Sequence, residues 1–271
     1  SLFIPRSGQS ISISAHTKGE TCMNIIISPA KKMETEEDIL CPSSSPVFLE
    51  QAKQIRDTLA GYSMEELKSL YNANDGITEL NYRRIQEMDL DRGTTPAVLA
   101  YIGIQYQSMA PRVFTDSQWD YVREHLWILS GFYGALRAMD GIVPYRLEMQ
   151  AKLKVGTAKD LYDLWGDRIY RELKKKSPVT VNLASKEYSR AVEPYLTEED
   201  RFITCVFGSL SEGKKGLQVK VTATRAKAAR GMMVRWMAKE QIEDPEDLKE
   251  FHEGGYRYAP EYSQKDKLVF L

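Results

Sequence analysis

Three consecutive isoleucines, Ile25-Ile26-Ile27, preceded by Asn24 and closed by Ser28-Pro29, constrain this chain more than any other feature. A β-branched run of this length, stopped by a proline, reads as a fully buried strand followed by a turn. Further strand candidates are Leu126–Leu129 running into Gly131, Val179–Leu183, Phe202–Phe207 and the alternating Leu217–Val221. Helix signals lie between them. Ser45 as N-cap with Pro46 behind it predicts a helix stopping near Gly61, and Ser63 with Glu66 forms a capping box for the next. Asp116 caps a helix carrying Trp119, Val122 and Leu126. A long helix is expected over Thr224–Gln241, and Asp244-Pro245 starts a short one.

After Met23 there is no internal repeat, low-complexity tract or linker, and strands alternate with helices without a strict βαβ rhythm. The expected fold is therefore of the mixed α/β type (α+β), one globular domain over residues 23–271 with a mixed sheet and surrounding helices. Residues 1–22 are rich in Ser, Thr and Gly and lack the apolar core of a signal peptide. They read as a cloning remnant or an extra upstream segment. No stretch approaches a membrane-spanning length, so no membrane contact is expected.

The net charge of −1 argues against a general basic coat, so any polyanion has to be held by a local patch. Cys22, Cys41 and Cys205 are far apart and read as free thiols, with Cys205 a small core residue. His16, His125 and His252 are equally scattered. No metal or other cofactor is expected, and neither a dinucleotide fingerprint nor a P-loop is present.

The clearest charge feature runs from Lys214 to Lys239. It holds Lys214, Lys215, Lys220, Arg225, Lys227, Arg230, Arg235 and Lys239 and no acid. At about 100° per residue, Ala226, Ala229, Met233 and Met237 form the buried stripe, while Arg225, Arg235 and Lys239 fall on a solvated face. Lys227 and Arg230 are neighbours at i,i+3, and Arg230 lies beside the methionine stripe. A cation there leaves water in part and needs an anion, either an internal carboxylate or a ligand. Spacing alone does not choose between them.

Two further segments carry candidate chemistry. In LSGFYGALRAMD (129–140) the glycines suit a strand-to-helix turn whose N–H groups face an anion. This loosely resembles a helix-hairpin-helix, although two residues, Phe132-Tyr133, separate the glycines and a simple tight turn explains them as well. In PYRLEM (144–149), Arg146 and Glu148 share a side if the segment is extended. They bind a substrate or pair with each other. Asp140, Asp163 and Asp167 are further carboxylates, with no spacing that demands a metal.

Seven segments, ISPAKKM, LSGFYGALRAMD, PYRLEM, LYDLWGD, VNLASKEY, AKAARGMM and FHEGGY, occur in an order that resembles the YaaA peroxide stress protein family from Met23 onward. The resemblance implies a cytoplasmic bacterial protein that helps limit iron-driven oxidative damage. It also implies a mixed α/β fold with a helix-hairpin-helix-like element and a basic cleft for DNA. Carried over motif by motif, the cleft cations are Lys31, Arg137, Arg146, Lys186, Lys227 and Arg230. Ala228 stands where a second basic residue is common, and Ala138 where a proline is.

The resulting expectation is a DNA-binding protein, selective for structure rather than sequence, gripping phosphates with these cations. Tyr133 or Tyr145 is either a stacking platform for an unpaired base or core packing. The alternative is an enzyme acting on nucleic acid or another phosphorylated substrate in the same cleft. Direct iron handling draws no support from the residues, which offer no His/Glu helix pairs and no cysteine cluster.

Overall fold

A computed structural model describes residues 22–36, 38–213 and 216–271. The expectations for residues 1–21, and for Lys214 and Lys215, lie outside the described residues. The chain runs β1 (Asn24–Ile27), β2 (Lys32–Met33), α1 (Leu49–Ala60), α2 (Met64–Tyr71), α3 (Asp75–Glu87), β3 (Thr95–Pro96), α4 (Ala97–Ala100) and β4 (Tyr101–Ile102). It continues through α5 (Ile104–Met109), α6 (Asp116–His125), β5 (Leu126–Ser130), β6 (Gly134–Arg137), β7 (Gly141–Ile142), α7 (Leu161–Trp165) and α8 (Arg168–Lys176). The last part comprises β8 (Val179–Leu183), α9 (Lys186–Ser189), β9 (Arg201–Phe207), β10 (Ser209–Gly213), β11 (Gly216–Lys220), α10 (Ala223–Glu240) and β12 (Lys267–Phe270).

Six strands form one mixed sheet in the order β12-β9-β8-β1-β5-β6. All neighbours are parallel except β6, which runs antiparallel to β5. The isoleucine run is central, between β8 and β5, and all three isoleucines are fully buried. That position explains their composition, since a central parallel strand covered on both faces has no place for a polar side chain. Asn24 is the exception and is satisfied: its Nδ2 donates to the carbonyls of Leu173 and Ser177, and its Oδ1 accepts Trp127 Nε1–H. Cys205 is buried in β9, where burial pushes its thiol up to about 12. No described helix is long and apolar enough to cross a membrane.

Local signals hold where they are short-range. The Ser63/Glu66 capping box is closed in both directions. Asp116 proves to be the first residue inside α6, and Thr115 with Gln118 makes the box there. The first long helix begins at Leu49, three residues later than Pro46, and the Ser45 carbonyl accepts from the Arg137 guanidinium.

One expectation is corrected by long-range pairing. LSGFYGALR does not turn from strand into helix; it is the β5–β6 hairpin, with Ser130↔Gly134 as its closing pair. Ser130 Oγ accepts the N–H groups of Phe132 and Tyr133, and Gly134 at φ 74° lies against Trp165, where a Cβ would stand 2.8 Å from the indole. The strand expected over Leu217–Val221 forms as β11 and pairs with β10 in a separate exposed ribbon. The apolar C-terminal tail is β12, an edge strand of the main sheet.

Candidate functional site

The chain leaves β1 towards β5, on one side of the sheet, and leaves β8 towards β9, on the other. Diverging connections of this kind open a crevice at the carboxyl ends of the two strands, the usual ligand position in open α/β sheets. Ser28 follows β1 and Ser185 follows β8. Ser28 Oγ accepts the Ser185 N–H at 2.8 Å and donates to Ser185 Oγ at 3.2 Å. The Ser28 carbonyl accepts Gln105 Nε2–H and Tyr106 O–H, both at 2.9 Å, which brings α5 over the crevice. The result is a cavity of about 410 Å³ whose lining includes Lys31, Arg146, Glu148, Glu187, Lys227 and Arg230.

Helix α10 supplies two of those cations through close packing on α5. A Cβ on Gly231 would lie 2.0 Å from the Gln105 carbonyl oxygen, so only glycine allows this approach. The predicted stripe of Ala226, Ala229, Met233 and Met237 is buried, and Arg225, Arg235 and Lys239 are exposed. Arg230 is half-buried, and burial lowers its pKa from the ordinary guanidinium value. No carboxylate among the described residues pairs with Arg230 or Lys227. Arg230 Nε is buried with no hydrogen-bond acceptor. Spacing left open whether an internal acid meets this cation; among the described residues none does.

The PYRLEM segment belongs to neither helix nor strand, and Arg146 and Glu148 both line the cavity. Their side chains are 12% and 16% exposed, with Arg146 Nη2 3.9 Å from Glu148 Oε1. That same oxygen takes Lys31 Nζ at 2.7 Å. The Arg146 guanidinium stands 6.0 Å from the Tyr71 ring centre, and its Nε is a second buried donor without an acceptor. Glu187 accepts the Gln150 N–H at 3.3 Å. Burial, and then the nearby Glu148 charge, raise the Glu187 carboxyl above its ordinary value against the opposing pull of that N–H and of Lys31. Tyr145 lines the cavity with its hydroxyl between Tyr101 Oη (2.7 Å) and Ser130 Oγ (2.6 Å); burial pushes it up to about 12. Tyr133 is core.

Lys31, Arg146, Lys227 and Arg230 thus converge on one cavity. Lys186 does not line it: it lies between Ser185 and Glu187, its ammonium exposed and paired with Glu193. Arg137 is at the opposite end of the sheet. The antiparallel turn into β6 carries it back alongside Trp127, where its Nη2 meets Asp140 Oδ1 at 3.0 Å. Asp140 is thereby a structural carboxylate; Asp163 caps the loop before α7 and Asp167 pairs with Arg171. No group of three His, Cys, Asp or Glu among the described residues is placed to hold a metal ion. Sequence reading missed Ser28, Gln105, Ser185 and Glu187. The available signal was a serine closing each of two apolar runs, Ile27-Ser28 and Leu183-Ala184-Ser185.

A family profile described as Peroxide stress protein YaaA matches residues 23–262. The chain belongs to the YaaA peroxide stress protein family. It is 51% identical to a UPF0246 protein of Desulfitobacterium hafniense over 252 residues, covering 92% of this chain and 98% of that protein. UPF0246 proteins of Pediococcus pentosaceus and Agathobacter rectalis are each 48% identical, again over 92% of this chain and 98% of theirs. The matched span starts at Met23, one residue before β1, and takes in every residue lining the YaaA-family cavity.

Proposed function

We propose that this YaaA-family protein binds DNA by its phosphates at the mouth of the cavity, with Lys31, Arg146, Lys227 and Arg230 as the gripping cations. One observation carries the reading: Arg230 is half out of water, and among the described residues its Nε has no acceptor and it meets no carboxylate. Such a cation is costly unless an external anion meets it. With a net charge of −1 the attraction is confined to this patch. An open groove of about 930 Å³ continues from the cavity, sharing Lys31 and Glu148 and reaching Tyr71, Asn72 and Lys152. It offers a path for a strand. Helix α2, with Asn72 at its end, flanks this path. The family description supports a place in peroxide defence; limiting iron-driven damage from within the cytoplasm is the accompanying proposal.

The test is fluorescence anisotropy with labelled duplex, single-stranded and branched DNA across a salt series. Phosphate binding requires log K to fall linearly with log salt. Affinity that hardly changes over a severalfold rise in salt would overturn it. A second reading, catalysis on a phosphorylated substrate, is favoured by the Glu148/Glu187 pair, in which one carboxyl is raised as a general acid requires. Turnover of a phosphorylated substrate that is lost in Glu187→Gln would establish it.

A further inference from the structure

The cavity is far too small for a duplex. At about 410 Å³ it stands near the lower end of the roughly 300–1,000 Å³ typical of small-molecule sites, the scale of a single nucleotide. Its chemistry is also mixed in a way that phosphate gripping alone does not require. Four cations serve an anion, yet Glu148 and Glu187 are set among them, and carboxylates repel phosphate. Carboxylates in a phosphate site are useful if the same ligand also presents N–H donors. The contacts of Glu148 with Lys31 and Arg146 are both made at Oε1, which leaves Oε2 as the oxygen for a ligand's donors. The apolar and aromatic remainder of the lining, Ile102, Tyr106, Tyr145, Leu147 and Tyr188, suits a flat ring.

Resting on the reading that the mouth binds phosphate, we propose that the cavity receives one guanine nucleotide, its base edge on Glu148 and Glu187 and its phosphate on Lys227 and Arg230. Guanine is the base that offers two adjacent donors, the ring N1–H and the 2-amino group, to one carboxylate. Adenine and cytosine present a single exocyclic amine, and thymine a single ring N–H. The nucleotide comes from an unpaired position of a DNA strand, extruded as nucleobase-reading proteins extrude theirs, or from a free mononucleotide. The chemistry recognised is the same in both cases.

The experiment measures the full chain with 5′-GMP, 5′-IMP and 5′-AMP by calorimetry, and by anisotropy with a paired duplex and the same duplex carrying one unpaired guanine. The proposal expects GMP to bind about tenfold more tightly than IMP, which lacks only the 2-amino group, and than AMP. It expects the unpaired guanine to tighten duplex binding by a similar factor, and Glu148→Gln to compress the GMP/IMP ratio. The GMP/IMP comparison uses the unaltered protein, so it holds even if the variant fails to fold. GMP binding with no affinity for any DNA would keep the pocket, assign it to a free nucleotide and overturn the DNA reading. Salt-sensitive DNA binding with no distinction among the three mononucleotides and no gain from the unpaired guanine would overturn the pocket and leave phosphate gripping intact. Binding of neither class would overturn both.

Discussion

Ser28 and Ser185 join the two central strands where their connections part. The Ser28 hydroxyl accepts the Ser185 N–H at 2.8 Å, immediately beyond the carboxyl ends of β1 and β8. The crevice that becomes the cavity opens beside this contact, so a hydrogen bond that stabilises the fold also shapes the floor of the site. Ser28→Ala removes the acceptor and strands a half-buried N–H, a change worth about 1–3 kcal/mol. Urea titration should show a lower midpoint at an unchanged slope, with weaker DNA binding alongside.

Gly231→Ala should be the more severe change. Its Cβ would meet the Gln105 carbonyl oxygen, a backbone atom with no rotamer to adopt. Separating α10 from α5 is the only relief, which places the cost near the upper end for overpacking, about 3 kcal/mol. Because α10 carries Lys227 and Arg230, the same movement should weaken DNA binding beyond the loss of stability. Thermal melts and anisotropy on one preparation check both.

Lys227→Ala/Arg230→Ala should reduce the steepness of log K against log salt by about 2, one for each phosphate that the variant no longer neutralises. An unchanged slope would show that neither cation touches phosphate.

Arg137→Ala should behave differently. Asp140 is fully buried and depends on Arg137 and Ser44 for its hydrogen bonds. Removing the guanidinium leaves that carboxyl short of a partner. The Arg137 side chain is 41% exposed, so the loss falls below that of a fully buried pair, at about 1–3 kcal/mol. Stability should drop while the salt slope of DNA binding stays as in the parent. A reduced slope would return Arg137 to the cleft.

Glu187 gives the site a pH signature. Its folded carboxyl is raised above its ordinary value of 4.5, chiefly by burial. Below that value both folded and unfolded states are protonated and nothing is lost. As pH rises from 4.5 through the raised folded value, the unfolded chain releases its proton first, so stability falls. Glu187→Gln should flatten this decline, measured as the unfolding midpoint between pH 4 and pH 7. An identical pH profile in the variant would mean that Glu187 titrates normally.

The elements legible in the sequence were those set by neighbours along the chain. The isoleucine run specified a buried strand, Ser63 and Glu66 closed their box, and the 3.6-residue period of α10 separated Ala226, Ala229, Met233 and Met237 from the solvated Arg225, Arg235 and Lys239. These outcomes depend on interactions within a few residues, which the order of side chains records directly. The family was legible too, because seven motifs keep their order along the chain.

Tertiary structure decided what each charge meets. Arg137 and Arg230 look equivalent as basic residues of two family motifs, yet the hairpin return of β6 delivers one to buried Asp140, while packing at Gly231 holds the other over the cavity with no carboxylate among the described residues. Likewise, nothing near Glu187 in the chain announces Glu148, which comes from a different connection and helps to raise its carboxyl. Strand order brings Ser28 and Ser185 together from 157 residues apart. An ion pair or a cavity wall depends on distances through space between segments remote in sequence, and short-range pattern carries no information about those distances.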